Sequence, residues 1–181
     1  PMLAQDLLAA QDPPIRFLWD TAGNPVAMLP DSAAVAKAFE AIEFVVVADC
    51  FLTDTARRAD VVLPVPTLLE DNDVLGSYGH HWLAESRPVV SMPPGVRHEL
   101  HIFQDLARRV GLDSYPQDTI DQCKRHALAD VASQGASLEM LRKHSAVRSP
   151  IADTLLFRDG RVFTANGRVQ LLAEGTPEPE I

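Results

Sequence analysis

Val45–Pro64 reads VVVADCFLTDTARRADVVLP: an apolar run that closes on Asp49, a Thr-opened segment, and a second apolar run that stops at a proline. Continuous Val and Leu without polar alternation is the pattern of parallel strands covered on both faces. The segment therefore predicts strands over Phe44–Ala48 and Val61–Leu63 joined by a short helix over Thr53–Ala59. Ligands of such sheets gather outside the carboxyl ends of the strands, which makes Asp49–Thr53 the first place to look for chemistry.

Upstream, Ile15–Trp19 (IRFLW) predicts a preceding strand that opens into Asp20-Thr21-Ala22-Gly23-Asn24-Pro25, a turn rich in residues that tolerate tight backbone. Met2–Ala10 has the apolar spacing of a helix, and Asp12-Pro13-Pro14 ends it because proline cannot continue the hydrogen-bond ladder. Asp31 or Ser32 caps a further helix, ending near Glu43, whose Val35, Ala38, Phe39 and Ile42 fall at three- and four-residue steps. Repeated β-α-β order with right-handed crossovers gives an α/β domain built on a mainly parallel sheet.

Downstream, Pro64–Gly95 reads as a long loop with little regular structure, centred on Gly76-Ser77-Tyr78-Gly79-His80-His81-Trp82. Loops of this length in compact domains are functional or disordered, and the aromatic residues argue against disorder. Glu99–Val110 is a strongly amphipathic helix stopped by Gly111. A second helix spans Thr119–Ala132, with Ile120, Cys123, Ala127, Leu128 and Val131 on one side, and a short one spans Ser137–His144. Leu155–Phe157, Arg161–Thr164 and Arg168–Leu172 read as short strands turning at Asp159-Gly160 and Asn166-Gly167, and Glu174–Ile181 as a free tail or linker. The expected organisation is an α/β segment over 1–112, a helical extension over 113–150, and short strands with a linker over 151–181.

With 181 residues, 46% of them hydrophobic, the chain can bury one sizeable core. A formal net charge of -9 argues against nonspecific binding to nucleic acid or an anionic membrane, both of which need basic surface. Cys50 and Cys123 stand far apart without metal-ligand spacing or a disulfide framework, which points to a reducing compartment. No apolar stretch is long enough to span a bilayer, and no secretory signal is visible. The first residue is Pro1, which fits a piece of a longer protein.

Candidate site residues follow from position. Asn24, between Gly23 and Pro25 after a strand, could hold its amide at a crevice mouth or bond only its own turn. Asp49 could accept hydrogen bonds from a guanine edge or a ribose diol, or cap the following turn. Asp60 starts a strand and reads as structural. His80 and His81 lie near Glu70, Asp71 and Asp73, but adjacent histidines in extended chain point apart, which argues against a shared metal. His98 and His101 flank a helix start as solvated or capping residues. Cys50, whose neighbour Asp49 would raise its pKa, reads as a buried structural thiol. G-x-S-x-G, Walker and G-x-G-x-x-G motifs are all absent, so nothing resembles a self-sufficient catalytic set.

In order along the chain, these residues resemble the molybdopterin oxidoreductases of the dimethyl-sulfoxide-reductase and formate-dehydrogenase type. The family pattern of a strand, G-N-P, a helix, and D-x-F-x-T-x-T-A-x-x-A-D-V-V-L-P stands here as Gly23-Asn24-Pro25 and then Asp49 through Pro64. Glu70, Gly76-Ser77-Tyr78, Pro93-Pro94-Gly95 and Leu100–Gly111 continue it, and Thr164–Leu171 resembles the family's T-P-S-G-K-x-E-L. The resemblance implies a Rossmann-like three-layer α/β/α domain with a helical and short-strand C-terminal extension. It also implies that the strand ends hold one guanosine half of a bis-molybdopterin guanine dinucleotide. By motif position Asn24, Ala48, Asp49, Val65 and Glu99 would line that pocket. Ala48 stands where many relatives carry glutamine, which would remove one hydrogen bond to the dinucleotide, and Glu99 replaces an aspartate.

The molybdenum ligand, any iron-sulfur cysteines and the final pterin-binding domain would lie outside this chain, which would be inactive alone. The implied partners are the remaining domains of the parent protein and electron-transfer subunits. Relatives occur in the cytoplasm, in membrane complexes and in the periplasm. Two alternatives remain at this point: a noncatalytic scaffold domain of a respiratory NADH dehydrogenase subunit, which Ala48 favours, and an independent nucleotide-binding module.

Overall fold

The computed structural model describes residues 3–150, 160, 162 and 164–169. In chain order the elements are α1 (Leu3–Ala9), β1 (Phe17–Thr21), α2 (Pro25–Met28), α3 (Ser32–Ala41), β2 (Phe44–Asp49), β3 (Val61–Pro64), β4 (Val74–Leu75), β5 (Trp82–Glu85), α4 (Glu99–Arg109), α5 (Ile120–Ala127), α6 (Ala129–Ala132), α7 (Leu138–His144) and β6 (Ala146–Arg148). β1, β2 and β3 form a parallel sheet in that order, with Thr21 opposite Ala48 and Asp49 opposite Pro64, so the three carboxyl ends lie side by side.

The two-residue period of β2 sorts its side chains between two layers. Val45 and Val47 pack with Val35, Ala38 and Phe39 of α3 and with Ala4 of α1. Ala48 faces the other way, against Trp19, Leu63, Val65 and Ile102 of α4. The Trp19 and Phe103 rings meet on that side with centroids 5.0 Å apart. Helices thus cover both faces, which is why β2 reads as an unbroken apolar run. The sequence reading of an α/β fold on a parallel sheet holds.

Several local readings change. The expected helix over Thr53–Ala59 is a single 3-10 turn at Ala56–Arg58, because side chains take over its backbone donors: Thr53 Oγ1 accepts from Ala56 N at 3.1 Å, and Asn24 Oδ1 accepts from Thr55 N at 3.2 Å. β1 begins at Phe17 and runs through Asp20 and Thr21, which the sequence placed in a turn. The predicted Thr119–Ala132 helix breaks at Leu128 into α5 and α6, after a start fixed by a Thr119/Gln122 capping box. α7 begins one residue later than expected, with Ser137 as its cap. Gly111 stops α4 with φ +73, a left-handed conformation that glycine adopts without strain.

The largest correction concerns Pro64–Gly95. It contains β4 and β5, which join β6 in an antiparallel sheet, with Val74 opposite Glu85 and Trp82 opposite Arg148. Strands of two to four residues whose central member pairs with a segment more than sixty positions away leave no local alternation to read. Leu128, Leu138 and Leu141 form the core beneath this sheet, with Leu83 and Val147 against it. The expected strands near 155–157, 161–164 and 168–172 and the tail over 174–181 fall wholly or largely outside the described residues. At the described Asn166-Gly167 turn, Gly167 N donates to Thr164 O at 3.0 Å.

Candidate cofactor-binding site

The rim at the carboxyl ends of β1, β2 and β3 is held by side chains. Asn24 does not bond merely within its own turn: its Oδ1 accepts from Thr55 Oγ1 at 2.9 Å as well as from Thr55 N, and Thr55 Oγ1 in turn accepts from Val26 N at 3.1 Å. Thr55 is fully buried, so this small network ties the loop after β1 to the loop after β2 with its hydroxyl satisfied. Among the described residues the Asn24 Nδ2 donors have no hydrogen-bond partner. They remain available to a ligand.

Asp49 is 9% exposed, and its Oδ1 accepts from Phe51 N at 2.8 Å. The capping reading is therefore met by one oxygen, and the other oxygen is not used by that bond. Ala48 is fully buried, and its carbonyl accepts from Ala22 N at 2.9 Å, closing the end of β1 onto β2. Val65 shares the small apolar cluster with Ala48 and Ile102. Glu99 opens α4, and its Oε1 is buried without a hydrogen-bond partner. His98 caps that helix by accepting from Leu100 N at 3.2 Å, and its Nε2 lies 3.2 Å from Asp71 Oδ1. Asp60 is structural, as expected: its Oδ2 accepts from Val45 N at 2.8 Å.

Two residues that the sequence reading passed over matter here. Thr55, the second threonine of the T-x-T pair, was legible only as part of a motif. Asp20, next to last in β1, lines a cleft of about 340 Å³ together with Trp19, Gly23, Asn24 and Pro25. Its Oδ2 is buried with no donor. Burial, and then the charge of Asp49, raise the proton affinity of this carboxyl. Gly23 packs close to this side chain: a Cβ there would lie 2.7 Å from Asp20 Oδ1, so the carboxyl would have to shift. Asp49, Ala48, Val65 and Glu99 do not line this cleft; they sit along the neighbouring strand ends and the start of α4.

Cys50 is exposed, which corrects the expectation of a buried thiol: it lies just past the end of β2, where the chain leaves the sheet. Local desolvation and the Asp49 charge still push its pKa up, so it is a poor thiolate. His80 is exposed, and its Nδ1 accepts from Trp82 N at 3.1 Å. Among the described residues no group of three His, Cys, Asp or Glu side chains is placed to hold a metal. No described helix is long and apolar enough to cross a membrane.

The family model for molybdopterin oxidoreductases matches residues 4–109. The chain belongs to the molybdopterin oxidoreductase family. Its relatives include the Bacillus subtilis protein named "Probable oxidoreductase YyaE", 27% identical over 168 residues that are 92% of this chain and 25% of that protein. The assimilatory nitrate reductase catalytic subunit of Bacillus subtilis is 30% identical over 84% of this chain and 22% of its own length. The dimethyl sulfoxide/trimethylamine N-oxide reductase of Cereibacter sphaeroides is 36% identical over 55% of this chain and 12% of its own. Acetylene hydratase from Pelobacter acetylenicus shares the fold, with a TM-score of 0.68 and 24% identity over 92% of this chain and 23% of that one. This molybdopterin oxidoreductase chain thus spans about a quarter of the length of the first curated relatives it matches. The scaffold and independent-module alternatives find no support in these matches.

Asp20, Asp49 and Glu99 supply carboxyl oxygens, two of which are buried and unpartnered, while Asn24 supplies amide donors. Accessible carboxyl oxygens accept N–H and O–H donors and meet a phosphate as like charge.

Proposed function

We propose that this chain is an internal segment of a molybdenum-dependent oxidoreductase and binds the guanosine end of a bis-molybdopterin guanine dinucleotide. The observation that carries the proposal is the alignment of three parallel strand ends with Asp49 at the central one, its second carboxyl oxygen outside the turn bond to Phe51 N. Asn24 and Asp49 supply the polar contacts. Ala48, fully buried, and Val65 pack behind these contacts, and Glu99 stands at the start of α4 as a further candidate. The cofactor, when bound, supplies the two-electron or oxygen-atom chemistry.

Residues 1–112 act as a Rossmann-like binding segment, 113–150 as a helical extension, and 151–181 as the passage to a further C-terminal domain. The metal ligand and any iron-sulfur cluster belong to the remaining domains, and electron-transfer subunits are the natural partners.

The full-length parent protein, purified from a molybdenum-replete host, tests this. Molybdenum and released guanine nucleotide are expected at a ratio near that of the bis-dinucleotide, and Asp49→Asn is expected to lower the nucleotide content while leaving the thermal transition in place. Purified protein free of guanine nucleotide would remove the basis for the roles of Asn24 and Asp49.

A further inference from the structure

Asn24 stands at the cap position of α2, yet its side chain does not cap that helix. Its backbone carbonyl accepts from Ala27 N at 3.0 Å and Met28 N at 2.8 Å, and the amide crosses instead to the loop after β2. A backbone N–H can only donate, so the Asn24 atom 3.2 Å from Thr55 N is the oxygen. Thr55 Oγ1 is held to the same polarity: it accepts from Val26 N at 3.1 Å and turns its proton to the Asn24 oxygen at 2.9 Å. Thr55 is fully buried, so water does not compete for these bonds. Two donors on Oδ1 leave the amide one orientation, with Nδ2 turned away from Thr55 at the cleft that Asn24 lines with Trp19, Gly23 and Pro25. Nδ2 keeps surface that a ligand can reach, unlike Asp20 Oδ2 and Glu99 Oε1, which are buried.

We propose that Thr55 is a positioning residue for the nucleotide: it locks the Asn24 amide so that Asn24 acts only as a donor, to an acceptor atom of the bound guanosine such as a ring nitrogen, a carbonyl or a ribose oxygen. This rests on the assignment of the strand-end rim to the guanosine end of the cofactor. It divides the rim by polarity, since the Asp49 carboxylate offers only acceptors and the locked Asn24 only donors. A free amide could turn over to present either atom. The locked one cannot, and binding then orders no side chain at this position.

Release of guanine nucleotide during dialysis of the full-length parent protein, prepared from a molybdenum-replete host, tests this. Asn24→Asp keeps an oxygen for both Thr55 donors and removes Nδ2, and is expected to release nucleotide about fivefold to tenfold faster than wild type. Thr55→Val keeps the shape without the hydroxyl and is expected to do the same, while Thr55→Ser restores retention to within about twofold of wild type. In the Asn24→Asp background Thr55→Val should add less than about twofold, because no donor remains to be aimed. A full Thr55→Val effect in that background, Thr55→Val retention equal to wild type, or release from Thr55→Ser as fast as from Thr55→Val would overturn the role of Thr55. Should Thr55→Val not fold, Asn24→Asp alone decides the polarity, and wild-type retention in it overturns the proposal. If Asp49→Asn releases nucleotide faster while the Asn24 and Thr55 variants do not, the rim remains the guanosine site and only the positioning role fails. If wild type itself carries no guanine nucleotide, both assignments fall.

Discussion

Around the parallel sheet, Asp20 and Glu99 keep carboxyl oxygens buried without a donor, whereas in the antiparallel sheet Glu85, only 3% exposed at its side chain, is ringed by cations. Glu85 Oε1 accepts from Lys124 Nζ at 3.0 Å and from Arg142 Nη2 at 2.8 Å. Lys124, 2% exposed, also donates to Ser86 O at 3.2 Å and to Asn72 Oδ1, and Arg142 reaches Asp121 at 2.8 Å. One region withholds partners from its acids, and the other supplies several. Satisfied charge of this kind binds α5 and α7 to β5, while an acid buried without a donor adds nothing to the stability of the parallel sheet.

The largest effect expected from breaking this contrast is at Glu85. Glu85→Ala leaves Lys124 buried with only neutral acceptors and is expected to cost about 3–5 kcal/mol in urea unfolding. The double change Glu85→Met with Lys124→Met removes both charges and should recover much of that loss. If the single and double variants were equally unstable, packing and not charge pairing would explain the clamp.

Asp60→Ala comes next. It strips the donor Val45 N of its acceptor at the start of β2 and is expected to cost about 1–3 kcal/mol, without altering nucleotide retention in the parent protein. Equal stability after this change would show that Asp60 does not anchor the strand.

A smaller effect separates the two regions by pH. Hydrogen bonding from Arg142, opposed by burial and aided by Lys124, holds Glu85 below the ordinary glutamate range. Its folded pKa is below its unfolded one, so its contribution is present above the ordinary range, near pH 4, and is lost as pH falls through the depressed value. Asp20 has the opposite sign: its raised folded pKa means that the cost of its charge disappears as pH falls through that value. Denaturation followed from pH 7 to pH 3 should therefore show a shallower acid loss in Glu85→Gln and a steeper one in Asp20→Asn, each relative to wild type. Identical slopes would contradict the two assigned environments.

The parallel region was legible in the sequence because its strands are buried on both faces and its motif runs nearly unbroken from Asp49 to Pro64. Asp49 and Asn24 could be placed from position alone, although the partner of Asn24, Thr55, comes from thirty-one residues away and needed the fold. Asp20 was hidden because β1 extends further than its apolar letters suggest. The antiparallel region was not legible. Lys124 sits on the face of α5 that the apolar spacing of Ile120, Cys123 and Ala127 does not mark as charged, and it is buried only because Glu85, Asn72 and Ser86 converge on it from distant segments. Pairing over such separations is decided by tertiary contact and leaves no periodic trace.

The most direct measurement is the structure of the parent protein with its cofactor in place. A guanosine is expected at the carboxyl ends of β1 and β2, with a donor atom about 2.7–3.2 Å from an Asp49 carboxyl oxygen. A guanosine bound elsewhere, with Asp49 and Asn24 facing other parts of the protein, would contradict it.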